Sequence, residues 1–468
     1  MDEQQRSGTS RMSVEEVGAE VRPSRTSTAL FILIGALPIV TTILFGGVDS
    51  ATWVILSVLW AAIVLLWIAE SWNVGGIALN PSSLLLPLVG LLILGLVQLL
   101  PFGGGSAASV ETSHAISLDP YSTRFFVIRL VIFLTFFAAC LTFINSEKRL
   151  RRIVMVTVIF GAVMAFLAVL QRISNPEGIY GMRVTPQAIP FGPFVNQHHF
   201  AAFMQMTGGL ALGLLLAIDV RREMKPILAT AVAIMGIATL FTSSRGGLLG
   251  FAAMGASIIV MSYFATRSRS KVKSSTGVQK KLLIAAGGIA LIVTVFGTVL
   301  LLGGNDQVFR GIGVVSADAG DVSTGRLHFW PIALKIFLEH PLLGAGLDAF
   351  GVAFTKFDTW NGAFRVEQAH NEYLQIMADG GIVGLACVIG FIFLLVKRGL
   401  ATITSSEEYR QSAAIGALGG CIGIMVHSFF DFPLRTHSNA FFFLLLAAIA
   451  TVGIATEHHG HRRHRLKR

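Results

Sequence analysis

The chain contains twelve apolar stretches, each long enough to cross the hydrocarbon core of a bilayer as an α-helix. A helix needs about 20 apolar residues to span about 30 Å of hydrocarbon. The stretches lie near residues 28–48, 51–70, 82–102, 124–145, 153–172, 198–218, 227–243, 246–264, 282–303, 381–396, 412–430 and 437–456. Only 13% of the residues are charged, whereas a soluble domain keeps about 25%. We therefore predict an all-α, polytopic membrane protein with about 12 transmembrane helices.

Other features of the sequence narrow the class of function. Cys140, Cys387 and Cys421 lie inside apolar stretches, so they predict neither a disulfide framework nor a metal site. The net charge of +10 suggests no nucleic-acid partner, because in a membrane chain the position of each basic residue matters more than the sum. Walker, Gly-x-Ser-x-Gly and His-Glu-x-x-His motifs are all absent from the sequence. The sequence therefore does not favour an ATP-driven or a zinc-dependent function.

The basic residues predict the orientation of the chain. Arginines precede the first apolar stretch, which favours a cytoplasmic N-terminus under the positive-inside rule. If the stretches then alternate in direction, the larger basic clusters and the C-terminus all fall in the cytoplasm. These clusters are Lys148, Arg149, Arg151 and Arg152; Arg221, Arg222 and Lys225; Arg267, Arg269, Lys271, Lys273, Lys280 and Lys281; Lys397, Arg398 and Arg410; and Arg462, Arg463, Arg465, Lys467 and Arg468.

This topology divides the chain into five predicted parts. Residues 1–27 form a cytoplasmic segment that is not a cleaved signal, and residues 28–303 hold the first nine transmembrane helices. Residues 304–380 form a long outer loop, residues 381–456 hold the last three helices, and residues 457–468 form a basic tail. Loops as long as the third part are commonly functional, so we place the candidate site there and expect helices within it.

One helix is predicted directly after the Ser323-Thr324-Gly325 turn. Apolar residues recur there at helical spacing at Leu327, Trp330, Leu334 and Leu338. This pattern predicts an amphipathic helix on the outer membrane interface, which starts or bends at Pro331. Arg326 then lies in the first turn, where free amide groups favour an anion.

A second helix is predicted to begin near His370. Leu374 and Met377 share the His370 face at helical spacing. The helix dipole disfavours a cation at this end, so a neutral imidazole there is able to accept a proton. Hydrogen bonding at the helix end is the alternative role.

Several polar residues near the outer ends of the stretches leave alternatives open. Arg245, in Ser243-Ser244-Arg245-Gly246-Gly247, either snorkels to outer water or meets an anion. His198 and His199, which follow Asn196, open the sixth stretch, where substrate contact and interface anchoring are both consistent with the pattern. His427 and Asp431 are predicted to share a helix face, with Arg435 just beyond. A structural network is favoured for this trio, and Arg129 is interpreted as structural.

Several blocks, taken together, resemble the bacterial O-antigen ligase and O-antigen polymerase superfamily over residues 190–445. The blocks are Phe194 to Phe200; Ser243 to Gly247; Thr324-Gly325-Arg326 through Leu342-Leu343-Gly344-Ala345-Gly346; and His370-Asn371-Glu372-Tyr373-Leu374-Gln375 with Gly380, Gly381 and Gly384, followed by His427 to Leu434. Each block alone is weakly specific.

The resemblance implies a metal-independent, cofactor-free glycosyltransferase of the bacterial inner membrane with a periplasmic active site. Its donor would be an undecaprenyl-diphosphate-linked glycan, and its acceptor a lipid A core sugar or a growing polysaccharide. It implies that Arg245 and Arg326 hold the diphosphate and that His370 is the general base. Asn196, His198 and Asn371 are further candidate substrate contacts.

The chemistry of the transfer agrees with this resemblance. Arginines offset charge on a leaving diphosphate without losing their proton, and histidine suits base catalysis near neutral pH. Attack opposite the leaving group would invert the anomeric centre. The alternatives are a secondary transporter or lipid flippase, whose helices tend to carry midplane charges, and a glycan-binding sensor. Among transferases, a protein O-oligosaccharyltransferase ranks below ligase and polymerase.

Overall fold

The computed structural model describes residues 23–102, 115–174, 178–185, 188–217, 220–269, 325–360, 365–404 and 407–453. Every regular element within these ranges is helical. The α-helices are α1 Arg25–Ile43, α2 Ser50–Val74, α3 Leu85–Gln98, α4 Pro120–Phe143, α5 Glu147–Ser174, α6 Gln197–Leu215, α7 Met224–Phe241, α8 Arg245–Arg269, α9 Arg326–Glu339, α10 Phe350–Thr355, α11 Glu372–Ile403, α12 Glu408–His427 and α13 His437–Thr451. Short 3-10 turns occur at Phe45–Gly47 and Pro433–Arg435.

Seven of the described helices are long and apolar enough to cross a membrane: α1, α2, α4, α5, α7, α8 and α11. Helices α3 and α13 are apolar but shorter. Every predicted apolar stretch except the ninth overlaps one of these helices or α6 or α12. The ninth stretch, at 282–303, lies outside the described residues, as do residues 304–324 of the long loop and the basic tail.

Helices α6 and α12 form the centre of the bundle, and small residues let their backbones approach closely. A Cβ added at Gly209 would lie 2.9 Å from the Gly416 carbonyl oxygen, and one at Gly213 would lie 2.5 Å from the Gly416 Cα. Close approach of this kind is typical of helices packed within a membrane. The two helices are almost wholly buried, so their modest apolar character reflects contact with protein and not with lipid.

The bundle has two ends that carry different chemistry. At one end Arg149 donates to the Ser27 hydroxyl at 2.9 Å and Arg410 donates to the Val452 carbonyl at 3.0 Å. Arg151 also lies over the Tyr409 ring at this end. The last residue of α12, His427, and the first residue of α13, His437, lie at the opposite ends of those two helices. The start of α6 lies there too, because Asn439 donates to the His199 carbonyl at 2.9 Å. The basic clusters around 148–152 and 410 therefore lie away from the end described below as the candidate site.

Two predicted boundaries differ from the observed helices. Helix α11 begins at Glu372 and not at 381, and the break in it lies at Gly381, whose φ of 60° and ψ of −157° are not helical. Helix α9 begins at Arg326, as expected, but it runs on through Pro331. Its packed face holds Phe329 and Ile336. Of the predicted apolar stripe, Leu327, Leu334 and Leu338 are exposed, as a helix on the membrane interface requires, and Trp330 is half-buried.

Candidate functional site

The candidate site is organised around the chain that follows α12, residues 427–432, which we call the 427–432 segment. Helix α12 ends at His427, so Asp431 lies beyond it. The predicted helix face shared by His427 and Asp431 is therefore wrong, because the backbone turns between them. Asp431 is nonetheless buried, and its Oδ2 atom has no hydrogen-bond partner among the described residues. A buried carboxylate oxygen without a partner is costly, and a bound water or ligand would remove that cost.

His370 lies against this segment. Its Nδ1 atom is 3.3 Å from Oδ1 of Asp431, and about a third of its side chain is exposed. The imidazole packs edge-on against Phe432, with ring centroids 4.7 Å apart, and lies nearly parallel to Phe329. His370 precedes the N-cap residue Asn371 and adopts a φ of 51°. It therefore shares no helix face with Leu374 and Met377, contrary to the prediction.

The His370–Asp431 contact has the geometry of a base held by a carboxylate. Burial opposes ionisation of Asp431, but the hydrogen bond from His370 and the nearby His198 and His199 imidazoles lower the pKa of this carboxyl well below its usual range. An ionised Asp431 that accepts a hydrogen bond from Nδ1 leaves Nε2 of a neutral imidazole as the proton acceptor. A positive φ is uncommon outside glycine, although histidine adopts it more often than most residues do.

Arg326, the first residue of α9, reaches the same segment. Its Nε and Nη2 atoms both donate to the Phe430 carbonyl oxygen, at 3.0 and 2.8 Å. Gly325 precedes it with a φ of 86°, and no side chain caps the helix. The guanidinium is thus held at the carbonyl of Phe430, the residue that precedes Asp431. It also lies at a helix N-terminus, whose amide groups favour an anion.

Arg245, the first residue of α8, adjoins Gly246, which packs against the same segment. Its side chain is exposed. A Cβ added at the adjoining Gly246 would lie 2.8 Å from Cδ2 of His427 and 3.1 Å from Cβ of Phe430. Only glycine at this position lets α8 approach so closely, and this approach brings Arg245 to the segment that Arg326 contacts.

His198 connects a further helix end to this group. Its Nδ1 atom lies 2.8 Å from the Ser244 hydroxyl, and Ser244 accepts a hydrogen bond from the Gly247 amide at the start of α8. The N-termini of α6, α8, α9 and α11 therefore all lie near the 427–432 segment. Helix N-termini and arginine side chains both favour an anion such as a diphosphate.

The other predicted contact residues are engaged locally. The Asn196 side chain accepts a hydrogen bond from the His198 amide at 2.8 Å and so caps α6. The Asn371 side chain accepts from the Tyr373 and Leu374 amides, at 3.0 and 3.1 Å, and so caps α11. Both side chains hold a site residue in place through the helix end that they cap.

A second charged group lies next to the site, centred on Arg435. Arg435 forms ion pairs with Asp348 at 2.7 Å and Asp379 at 3.1 Å, and lies 3.6 Å from Glu372. Arg129 also pairs with Asp348, which agrees with its structural interpretation. Burial acts against the charge on Arg435, but these three carboxylates raise its pKa above the ordinary value. The predicted trio is therefore divided: Asp431 contacts His370, His427 is buried with its Nδ1 atom 3.2 Å from Gln205, and Arg435 belongs to this network.

Of the three main residues predicted from sequence, Arg326 and His370 contact this segment directly, and Arg245 is adjacent to Gly246, which packs against it. Sequence reasoning undervalued Asp431, for which a structural role was favoured, and it missed Ser244 and the acidic residues Asp348 and Asp379. A signal for Asp431 was present in the sequence, since it is an acidic residue inside one of the blocks that carry the resemblance. Within the described ranges, no group of three or more His, Cys, Asp or Glu residues is arranged to hold a metal ion.

Comparison with known proteins gives a match that covers part of the candidate site. A family model described as O-antigen ligase matches residues 230–389. No curated protein matches the chain. The matched range begins in α7 and ends in α11, so it includes Arg245, Arg326 and His370, and it ends before the 427–432 segment.

Proposed function

We propose that this chain, whose residues 230–389 match the O-antigen ligase family, transfers a glycan from undecaprenyl diphosphate to an acceptor hydroxyl. The observation that carries the proposal is the meeting of Arg245, Arg326 and the His370–Asp431 pair at one segment. The product would be a surface polysaccharide or a glycan joined to a lipid A core.

Each group has one role in the proposed reaction. Nε2 of His370 takes the proton of the acceptor hydroxyl as its oxygen attacks the anomeric carbon. The bond between that carbon and the diphosphate oxygen breaks, and the electron pair leaves with the lipid diphosphate. General base catalysis of this kind contributes about 10²- to 10⁴-fold to the rate. Because donor and acceptor meet from opposite faces of the sugar, the product has the inverted anomeric configuration.

The arginines act on the leaving group. Negative charge grows on the diphosphate as the glycosidic bond breaks, and a fixed guanidinium stabilises that charge more strongly than it stabilises the bound donor. Arg326 is positioned for this role because the Phe430 carbonyl fixes its orientation. Arg245 supplies a second cation from α8. The proposed mechanism needs no metal ion or cofactor.

The two ends of the bundle support an orientation for the proposed reaction. Basic residues collect at the end that carries Arg149, Arg151 and Arg410, which the positive-inside rule places in the cytoplasm. The His370–Asp431 pair lies at the other end, so we place the reaction on the periplasmic face of the inner membrane. Twelve spans with both termini cytoplasmic is the topology consistent with this arrangement.

A reconstituted transfer assay tests the proposed function. Purified full-length protein in proteoliposomes is given an undecaprenyl-diphosphate-linked glycan and a core or repeat-unit acceptor, and the product is followed by mass spectrometry. We expect transfer that is lost in His370→Ala. Transport of the lipid-linked glycan without transfer, unchanged in His370→Ala, would instead support the flippase alternative.

Deleting the gene then separates ligase from polymerase. Single repeat units attached to the core in the deletion strain would identify a polymerase. An uncapped core with accumulated lipid-linked glycan would identify a ligase. The matched range and the site geometry are common to both activities, so the acceptor must be determined by this experiment.

A further inference from the structure

Trp360 is an exposed aromatic residue to which the proposed transfer gives no role. It lies beyond the end of α10 at Thr355, and 46% of its surface is exposed. Its ring stacks on the His328 imidazole, with centroids 4.3 Å apart and the two planes only 6° from parallel. It also packs edge-on against the Phe329 ring at 5.6 Å. Two rings of α9 therefore fix the orientation of the exposed indole.

The rings beneath Trp360 belong to a small buried cluster. Phe329 and Phe354 of α10 are both buried. Phe354 packs edge-on against Phe329 and against His328, with centroids 5.9 Å apart in each pair. A side chain that is already held in one orientation loses little conformational freedom when a ligand covers it. The Trp360 ring is thus a preorganised aromatic surface.

Phe329 also connects Trp360 to the candidate base. Its ring lies nearly parallel to the His370 imidazole, with centroids 5.9 Å apart. The ring centres of Trp360 and His370 are therefore at most 11.5 Å apart, which is the sum of the 5.6 and 5.9 Å distances. This span lies within the length of a short oligosaccharide. A glycan whose hydroxyl reaches His370 can therefore also cover Trp360.

An exposed tryptophan in a membrane protein can instead anchor the chain in the lipid interface. The position of Trp360 around α9 argues against that role. The exposed leucine stripe of α9 begins at Leu327, whereas His328 and Phe329 lie about 100° and 200° around the helix from it. Trp360, which contacts His328 and Phe329, therefore lies on a different side of α9 from the stripe expected to face the membrane.

We infer that Trp360 stacks on a sugar ring of the acceptor glycan. The face of an aromatic ring is negative, and the C–H bonds on the face of a sugar ring carry a partial positive charge, so the two faces attract each other. The sugar belongs to the acceptor because Trp360 is linked to His370 through Phe329, whereas Arg326 meets the 427–432 segment. The inference rests on the proposed function and deepens it, because it gives a carbohydrate acceptor a binding contact.

Hydroxyl-radical footprinting tests this contact without a substitution. Full-length protein in phospholipid nanodiscs is oxidised briefly with and without a lipid-free core or repeat-unit oligosaccharide, and the oxidised aromatic residues are mapped by mass spectrometry. We expect the oligosaccharide to slow the oxidation of Trp360 several-fold. Tyr121, which is 69% exposed at the start of α4, is the internal control and should be oxidised at an unchanged rate. Equal oxidation of Trp360 with and without oligosaccharide, as a lipid anchor would give, overturns the inference.

Transfer kinetics in proteoliposomes give a second measurement. In Trp360→Ala we expect KM for the acceptor to rise about tenfold, which corresponds to about 1.4 kcal/mol. KM for the donor and kcat at saturating acceptor should stay near wild type, because the diphosphate and the base are untouched. Trp360→Phe keeps an aromatic face and should remain within about twofold of wild type in all three values. Tyr121→Ala removes an exposed ring elsewhere and should change none of them.

The outcomes separate this inference from the proposed function. Protection of Trp360 by oligosaccharide in His370→Ala protein supports the contact even if no transfer is detected. An unchanged acceptor KM in Trp360→Ala, equal impairment of Trp360→Phe and Trp360→Ala, or a rise in donor KM alone overturns the inference while leaving an observed transfer activity standing. Melting temperatures in detergent check that Trp360→Ala is folded, and footprinting of the wild-type protein decides the matter if it is not.

Discussion

Among single residues, His370 and Asp431 form the contact on which the proposed catalysis depends. His370 is held at a positive φ of 51° before the N-cap of α11, and the 427–432 segment supplies its carboxylate partner from a distant part of the chain. Sequence analysis found His370 because a helix start and a family motif meet there. It undervalued Asp431 because that prediction continued α12 past its true end.

Replacing Asp431 by Asn tests the positioning role of this carboxylate. We expect kcat to fall by about 10²- to 10⁴-fold, because an amide neither selects the reactive tautomer nor stabilises the imidazolium. KM for the donor should change little, since the arginines remain. Asp358→Asn is the matched control, because Asp358 pairs with His328 at 2.8 Å outside the proposed mechanism. Equal losses in the two variants would remove the special role of Asp431.

The lowered pKa of Asp431 predicts how this loss depends on pH. A carboxyl whose pKa is lowered by folding stabilises the folded protein fully at pH values above its unfolded pKa of about 4. That contribution is lost only as the pH falls through the lower folded value. Asp431 therefore remains ionised between about pH 5 and 9, and Asp431→Asn should be impaired throughout that interval. A wild-type kcat for Asp431→Asn at any pH within that interval would contradict this interpretation.

The pairs made by Arg435 predict a large effect on stability. Arg435→Met would leave Asp348, Asp379 and Glu372 close together without their shared cation. Breaking a buried ion pair in this way costs about 3–5 kcal/mol, measured as a loss of thermal stability in detergent. Lys356→Met is the control, because Lys356 and its partner Glu339 are largely exposed and such pairs contribute about 0–1 kcal/mol. Similar melting temperatures for the two variants would show that the network is not structural.

Among the helices, the break in α11 at Gly381 determines how the first turns of α11, which follow His370, pack against their neighbours. Gly381 has a φ of 60° and a ψ of −157°, a backbone conformation that is essentially restricted to glycine. The break lets residues 378–379 accept hydrogen bonds from Ala345 and Gly346 at 2.9 and 3.0 Å. The first turns of α11 thereby pack against the chain that follows α9.

Replacing Gly381 by Ala tests the importance of this break. The added Cβ would lie 2.5 Å from the Leu342 carbonyl oxygen, and we expect a loss of about 1–3 kcal/mol in stability together with reduced transfer. Gly390→Ala on the same helix is the control, since its nearest neighbour is 3.9 Å away. Alanine is favoured over glycine in a helix, so this control should be neutral or stabilising. The prediction fails if both variants melt at the same temperature.

Sequence predicted the helices better than it predicted their packing. Long apolar stretches identify helices without knowledge of their neighbours, and the observed helices follow them. The burial of α6 and α12 depends instead on glycines that face each other across the bundle. The pairing of Arg435 with Asp348 likewise joins residues far apart in sequence. Apolar periodicity carries no information on such contacts, which is why they were missed.

At the scale of the whole molecule, the account predicts which face of the membrane each end of the bundle occupies. Thr359→Cys and Lys148→Cys introduce thiols at exposed positions, near the site and in a basic cluster respectively. In the Cys387→Ser background, a membrane-impermeant maleimide applied to intact spheroplasts should label Thr359→Cys. It should label Lys148→Cys only after permeabilisation. The reverse pattern would invert the proposed orientation.

The central claim is that one cluster both holds the lipid diphosphate and removes the acceptor proton. It is tested most directly by measuring donor binding and single-turnover transfer separately in His370→Ala and Arg326→Ala proteins. The account predicts that His370→Ala binds the undecaprenyl-diphosphate donor with near wild-type affinity and loses about 10²- to 10⁴-fold in turnover. Arg326→Ala should lose both binding and turnover. Wild-type turnover by His370→Ala, or wild-type donor affinity in Arg326→Ala, would contradict it.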